Sequence, residues 1–576
     1  MFPAKKTPAP TSANTAVERE LGARALAAGL AVGALLCIAN LYTGLKTGIW
    51  DSGQITASVL AFALLRGRLS RRENNTAQTA ACAAGAMPAA AGLLGAIPAL
   101  QLLGREIPAW GIALWGVTLA VLGILFALAL RRRLIEEERL AFPTGVATAE
   151  VIEALHGGDS AARGRTRTLL WCGLIAALWA WFRGGRPALI PGKLLLPVAI
   201  AGVPTSVLSL GVSTSPLYWG VGAMVGMRTA LSLAAGSLLA WVIGAPWLVR
   251  GPLRIEPSWP VLFAWMTWPG VALVAGAALI ALLQQGRSFA GAVRDLRSVA
   301  RRREPIDPAR LRALLLAGLA CVATVVLAEV LFGLHPLQSA FALALSALLA
   351  SVCARSAGVS DWSPLGSVGQ LTQVVYGGLA PGQPAINIAA GSIPANGAAQ
   401  TGVLLWSLRA GHALGASPAR QGIAALIGAL LGGMVCVPAY LLLVHAHGLG
   451  TPDLPVPTGL QWKALGDAVA RGTEALPPGA LAAVIPAAAL GALLAALSET
   501  RLGAWLPSAV AMGTGILLPP HSSVAILLGA VALRLADRAR PGLAARSGKV
   551  IGAGAIAGDS MAGVAAAMLA ALGFFH

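Results

Sequence analysis

The sequence predicts an all-α protein, a polytopic transmembrane helical bundle with broken or re-entrant helices, and three observations carry that prediction. Of 576 residues 57% are hydrophobic and only 11% are charged, against roughly 25% charged in an average soluble domain. The stretches 109–130 and 313–334 hold at most one charge each over 22 residues, close to the ~20 that carry a helix across a ~30 Å hydrocarbon core. Glycine contributes 69 residues, the surplus expected where helices pack through small residues because lipid supplies no hydrophobic force between them. The bilayer is therefore the expected solvent.

Along the chain, residues 1–22 read as a disordered cytoplasmic tail, rich in Pro, Ala, Thr and Lys and without the apolar core of a signal peptide. Full crossings are expected at 23–45, 49–65, 76–103, 109–130, 168–182, 194–212, 217–249, 260–283, 313–334, 337–354, 422–444, 480–497 and 550–572. Three further segments, 140–155, 362–406 and 505–533, carry Pro and Gly at spacings that break a helix. Non-helical backbone at membrane depth is tolerated only where protein buries it or where it lines a cavity, so the pathway is expected there.

The net charge of +19 comes from short basic clusters between apolar runs, among them Arg66 to Arg72, Arg131 to Arg133, the 287–312 interval and 534–549. That placement is the positive-inside pattern, which puts the N-terminus in the cytoplasm, the protein in a plasma or bacterial inner membrane, and no nucleic acid among its partners. The 287–312 interval reads as a basic cytoplasmic linker between transmembrane halves at 23–286 and 313–576. A two-fold internal pseudo-repeat is suggested by Gly220-Val-Gly222 recurring as Gly513-Thr-Gly515, offset by 293, and by Asn75-Thr-Ala-Gln78-Thr79 recurring as Asn396-Gly-Ala-Ala-Gln400-Thr401. Charge flanks favour copies of opposite orientation. The six cysteines lie in apolar segments without CxxC spacing and imply neither disulfides nor metal; the 16 Trp gather near helix ends as interfacial anchors.

Polar residues inside apolar segments are the functional candidates, because lipid tolerates them only at a cost. The connector from Asn40 through Tyr42, Lys46 and Asp51 to Gly53 is either a plain turn or an unwound helix whose freed backbone, with Asn40 and Lys46, holds a peptide-like or carboxylate-bearing ligand. Asp51 would then accept a proton. Glu150 follows the helix start Pro143-Thr-Gly and is either a proton carrier or part of an interfacial amphipathic helix; Glu329 and Asp559, each inside a span, pose the same question. The amides of Gln370, Gln373, Gln383, Asn387, Asn396 and Gln400 either join neighbouring helices or face a ligand with peptide groups, since an amide donates and accepts at once. His521 is read as facing the pathway beside a helix break, and His445 with His447 as a span end rather than a metal site. No phosphate loop, HExxH or GxSxG motif is present, so no catalytic residue and no cofactor is expected. An ion gradient, or a partner subunit, is then expected to supply the energy for uphill transport.

Seven stretches resemble the oligopeptide transporter family, whose plant branch includes the yellow stripe-like metal-chelate carriers: NLYTGLKTGIWDSGQITASVL from Asn40, ENNTAQTAACAAGAMPAA from Glu73, FPTGVATAEVIEAL from Phe142, GVGAMVGMRTALSLAAGSLLAW from Gly220, DWSPLGSVGQLTQVVYGGLAPG from Asp361, GASPARQGIAALIGALLGG from Gly415 and LPSAVAMGTGILLPPHSSVAILLGA from Leu506. The resemblance implies a proton-coupled importer, with a proton gradient as its energy source, working by alternating access on small peptides or peptide-like metal chelates. It departs from the family at Thr144, where an acidic residue often follows Phe-Pro, and its Ala/Gly-rich composition reads as bacterial. The expectation is secondary active symport of H⁺ with a short peptide, with Asn40, Tyr42, Lys46, Asn75, Gln78, Arg228, Gln373, Asn387, Asn396 and Gln400 on the cargo and Asp51 and Glu150, then Glu329 and Asp559, carrying protons. A metal-chelate carrier, a membrane-embedded enzyme and a passive channel are the rival readings. Membrane lipids and the cargo are the expected partners, with a homodimer left open.

Overall fold

The computed structural model describes residues 20–157, 160–184, 189–284, 291–294, 308–360, 363, 365–498 and 500–571. Residues 1–19, most of the 287–312 linker, and Asp361 and Trp362 lie outside the described residues.

In chain order the helices are α1 (Ala23–Thr47), α2 (Gln54–Leu64), α3 (Arg71–Gly85), α4 (Met87–Ala90), α5 (Ala96–Leu102), α6 (Ala109–Arg131), α7 (Pro143–His156), α8 (Ser160–Gly184), α9 (Pro216–Leu238), α10 (Ala245–Arg250) and α11 (Trp259–Gln284). After the linker come α12 (Pro308–Phe332), α13 (Pro336–Ser360), α14 (Leu365–Leu379), α15 (Pro384–Leu414), α16 (Pro418–His447), α17 (Pro457–Arg471), α18 (Leu481–Ser498), α19 (Ala509–Ile516), α20 (Pro520–Ala539) and α21 (Lys549–Ala571). Among the described residues nine helices are long and apolar enough to cross a membrane. Each coincides with an expected crossing. The protein is an all-α polytopic bundle, and the outward faces of its helices are apolar: on α12, Leu315, Leu319 and Val322 are each more than 60% exposed.

Four expected segments fold otherwise, for identifiable reasons. The 194–212 stretch is no crossing but two small antiparallel hairpins, β1 (Lys193–Leu195) with β4 (Gly211–Ser213) and β2 (Ala199–Ile200) with β3 (Val203–Pro204). Pro197, Gly202 and Pro204 forbid a continuous helix there, and β-branched Val and Ile suit strands. The 76–103 stretch is divided into α3, α4 and α5 by Pro88, Gly92 and Gly95. The 49–65 stretch shortens to the 11 residues of α2, because residues 48–53 form an irregular connector. Conversely, among the described residues the expected break across 362–406 amounts to Ser363 ahead of α14 and the turn at 380–383, and α15 runs unbroken through Trp406 for 31 residues. The 505–533 segment does break, at Leu517–Pro519 between α19 and α20.

Glycines set the helix spacing. A Cβ at Gly29 would collide with the Ala77 carbonyl, and one at Gly428 with that of Ala80, so α1 and α16 both lie backbone to backbone on α3. Around α9 the contacts come in matched pairs. Gly222 abuts the Ile526 carbonyl and Gly515 that of Leu233; Gly236 abuts Met512 and Gly529 abuts Trp219. Shifting every residue by 293 positions exchanges the members of each pair. Where α9 passes from one partner helix to the other it is interrupted at Gly226 (φ 78°), a conformation only glycine adopts freely.

The second matched set involves two Pro-Thr-Gly helix starts, at 143–145 and 457–459. Phe142 and Val456, which precede them, both have positive φ (43° and 40°). The Phe142 N–H donates to Gly358 near the end of α13, and the Val456 N–H to Leu45 near the end of α1, each at 2.9 Å.

Basic residues at one end of the bundle are neutralised in part by acids. Glu20, 6% exposed, pairs with Arg72 and Arg420, each at 3.2 Å. Glu138 pairs with Arg355 at 2.7 Å and Arg133 at 3.0 Å. Burial alone would raise the Glu138 carboxyl, but the hydrogen bonds from Arg355 and Arg133 outweigh it and hold the group below the usual carboxylate range.

Two outcomes are expected. Gly222→Val and Gly515→Val each force a side chain into a backbone carbonyl and lower stability by at least ~1–3 kcal/mol, read as a fall in the melting temperature of detergent-purified protein. Glu138→Gln lowers the melting temperature at neutral pH, and the deficit closes as pH falls through the lowered Glu138 pKa, because a depressed carboxyl stabilises only while it is ionised.

Candidate functional site

The connector between α1 and α2 is irregular but fully tied down. α1 ends at Gly48 in the left-handed conformation (φ 73°), its N–H donating to Gly44 at 2.8 Å. The Asn40 side chain then replaces the missing helical partners. Its Nδ2 donates to the carbonyls of Asp51 and Gly85, both at 2.8 Å, and its Oδ1 accepts from the Asp51 N–H at 3.3 Å. Asn40 therefore pins the connector against α3, and the unwound stretch Gly48–Ser52 becomes a wall.

That wall closes one side of a cavity of 490 Å³. Trp50 and Asp51 of the connector face Gln370 of α14, Asn396 and Trp406 of α15, and Gln461 and Trp462 of α17, so both halves of the chain contribute. Trp462 is a rigid plate, since Cβ atoms at Gly369, Gly391 and Gly95 would all meet its ring. Gln370 is 5% exposed, yet its Oε1 has no partner among the described residues, nor has Nε1 of Trp406. The Asn396 amide, oriented to satisfy both ends, donates to the Ser392 carbonyl and accepts from the Gly92 N–H, each at 3.3 Å. A concave chamber with aromatic plates and a few amides fits a solute of peptide-like chemistry. Thr144 and Thr458, from the two Pro-Thr-Gly starts, both border it. A second chamber of 510 Å³, walled mostly by aliphatic side chains of α1, α8, α9 and α21, shares Trp50, Asp51 and Lys549 with the first.

Other candidates lie elsewhere. Asn75 and Gln78 belong to a sealed amide network: Asn75 donates to Gln78 at 3.2 Å, and Gln78 donates to Ser407 at 3.1 Å and to Gln54, whose own Nε2 reaches the Val403 carbonyl at 3.0 Å. Gln421 extends it from α16 to Thr79 and the Ser407 carbonyl. Gln400 donates to the Ala83 carbonyl at 2.8 Å. These amides lock α2, α3, α15 and α16 together. Gln373 and Asn387 are fully buried on α14 and α15, without partners among the described residues and outside the cavity wall. Arg228 is exposed and bonds the Leu506 carbonyl at 3.2 Å and that of Gly503, holding the chain before α19. Glu150 and Glu329 are exposed, Glu329 on the outward face of α12 beside Val330.

Tyr42 and Lys46 neighbour Arg183, the partner of Asp559, in a second polar centre. Asp559 is wholly buried and accepts from Arg183 at 3.0 Å, from the Leu217 N–H at 2.9 Å and from the Ser215 hydroxyl, so it also caps α9. Lys46, 7% exposed, places Nζ 4.5 Å from the centre of the Tyr42 ring. His521 bonds Ser209, its ring Nδ1 at 3.0 Å from the hydroxyl.

Sequence reasoning missed Gln461, Trp462 and Thr458 of the chamber and Gln54, Ser407 and Gln421 of the network. A signal for the first group was present, because Pro457-Thr-Gly459 repeats Pro143-Thr-Gly145.

A family model described as OPT oligopeptide transporter protein matches residues 20–570. The chain belongs to the oligopeptide transporter family. It is therefore an integral membrane transporter and not an enzyme. It is 24% identical over 663 residues to a candidate oligopeptide transporter of Saccharomyces cerevisiae, covering 89% of this chain and 90% of that one. A candidate oligopeptide transporter of Haemophilus influenzae is 25% identical over 605 residues, 92% of each chain. A candidate metal-nicotianamine transporter of Oryza sativa subsp. japonica is 24% identical over 618 residues, 94% of this chain and 86% of that one.

Arg183→Met in this family member strands a buried carboxylate and lowers stability by about 3–5 kcal/mol, while Arg183→Met with Asp559→Asn recovers part of the loss. Melting temperatures of the single and double variants check the pairing.

Proposed function

We propose that this transporter carries short peptides, or related amide-rich solutes, in symport with protons through the Trp- and amide-lined chamber. The observation that carries the reading is the pair of buried, unpartnered polar groups, Gln370 Oε1 and Trp406 Nε1, on the wall of a 490 Å³ cavity. A buried amide oxygen without a partner is costly, and a peptide N–H in the chamber would satisfy it. Asp51, on the wall of both chambers, is the favoured proton carrier, with Asp559 second.

Alternating access is supported by the matched contacts around α9 and the two Pro-Thr-Gly starts, which are those expected of inverted-topology repeats rocking about a site between them. The basic clusters favour a plasma or bacterial inner membrane with the N-terminus in the cytoplasm.

Carriage of a metal-chelate complex is the second reading, favoured by the rice relative's described role. Both are tested in proteoliposomes with an imposed pH gradient. Uptake of a labelled tripeptide pool is expected to depend on the gradient, to saturate and to support counterflow. Absence of uptake with or without the gradient contradicts the peptide reading. Metal-loaded nicotianamine competing where metal-free nicotianamine does not would favour the second. Gln370→Ala is expected to raise KM roughly tenfold, as for one lost hydrogen bond in a buried site.

A further inference from the structure

We propose that Lys46 is the anion-binding end of the substrate site, built to take a carboxylate; the proposal rests on the transport reading above and adds a required ligand group to it. Lys46 is 93% buried at the last turn of α1, and its one close partner is the face of Tyr42. The ionisable groups facing it are Tyr42 on its own helix, Tyr218 on α9 and Arg183 on α8. His447 of α16 and His521 of α20 lie within electrostatic range of Lys46, and of Asp453 as well.

The local charges do not cancel. Arg183 and Lys46 are both cations, and Asp559, the acid that pairs with Arg183, is already saturated by Arg183, Ser215 and the Leu217 N–H. Among the described residues no carboxylate pairs with Lys46, whereas Glu20 and Glu138 are each paired twice. A buried ammonium without a counter-ion is unfavourable, so a group retained there fits a site whose anion arrives with the ligand. A lysine paired for structural reasons would instead have an acid within reach.

The position suits that role. Two residues beyond Lys46, Gly48 forms part of the chamber wall and packs against Thr458, its Cβ direction ending 3.0 Å from the Thr458 hydroxyl. A peptide whose amide groups lie along Gln370, Gln461 and Asn396 would bring a terminal carboxylate to Gly48 at the end of α1, two residues from Lys46, whose own side chain is not among those lining the chamber. Tyr42 and Tyr218 supply phenol donors beside the ammonium, as an oxyanion site requires.

The test uses the full chain in nanodiscs, with trialanine, trialanine amide and sodium acetate as probes. The wild type is expected to bind trialanine at least tenfold more tightly than its C-terminal amide. Lys46→Gln and the shape-conserving Lys46→Met abolish that preference, and Lys46→Arg restores part of it. Neutralising Lys46 is also expected to raise the melting temperature in the absence of anion, and acetate to raise it for the wild type alone. If trialanine does not bind but acetate stabilises the wild type and not Lys46→Met, the anion site stands and the peptide reading falls. Preference retained in Lys46→Gln and Lys46→Met, or no acetate effect that depends on Lys46, overturns the proposal.

Discussion

Hydrocarbon offers no partner to an N–H, a C=O or an amide, and each such group left open there costs several kcal/mol. The irregular pieces of this bundle are arranged around that constraint. The connector after α1 leaves the helical path at Gly48, and Asn40 takes over the bonds the helix would have made. The divided segment α3–α4–α5 and the break between α19 and α20 are buried by neighbouring helices rather than offered to lipid. Among the described residues satisfaction by protein is incomplete at Gln370 and Trp406, which line the chamber, and at Gln373 and Asn387, which are buried among helices outside its wall. Shape and chemistry are thus linked: the same breaks that cost helical bonds bring polar side chains to one place.

Close packing makes the arrangement affordable in space. Where Gly222, Gly236, Gly515 and Gly529 stand, α9 lies directly on the carbonyls of α19 and α20, without intervening side chains. The matched contacts leave few side chains at this seam to interlock. A seam of backbone against backbone, interrupted at Gly226 and opposite Leu517–Pro519, suits relative movement better than one of interdigitated leucines.

The long crossings were legible because hydropathy over 20 residues has one main solution in lipid. The hairpins at 194–212 were not, since an apolar window does not distinguish a helix from short strands; Pro197 and Pro204 held the information. For the site, Asn396 and the adjacent Gln370 could be picked out as amides in an apolar tract, but sequence gives depth without direction. Gln78 and Gln400 turn toward neighbouring helices, and Glu329 turns outward, on spans whose composition is similar. Gln461 and Trp462 were hidden in a helix that reads as merely amphipathic, although its Pro-Thr-Gly start matches that of α7.

The central claim is that the amide-lined chamber is a water-accessible route. Thiol accessibility tests it most directly, with cysteine placed singly at Gln370, Asn396 and Gln461 in a background lacking the half-exposed Cys172 and Cys321, and at Leu319, 66% exposed on the outward face, as the lipid-facing control. The account predicts that a membrane-impermeant maleimide labels the three chamber positions, that a transported peptide protects them, and that Leu319→Cys stays unlabelled. Chamber cysteines as unreactive as the one at Leu319 would contradict it.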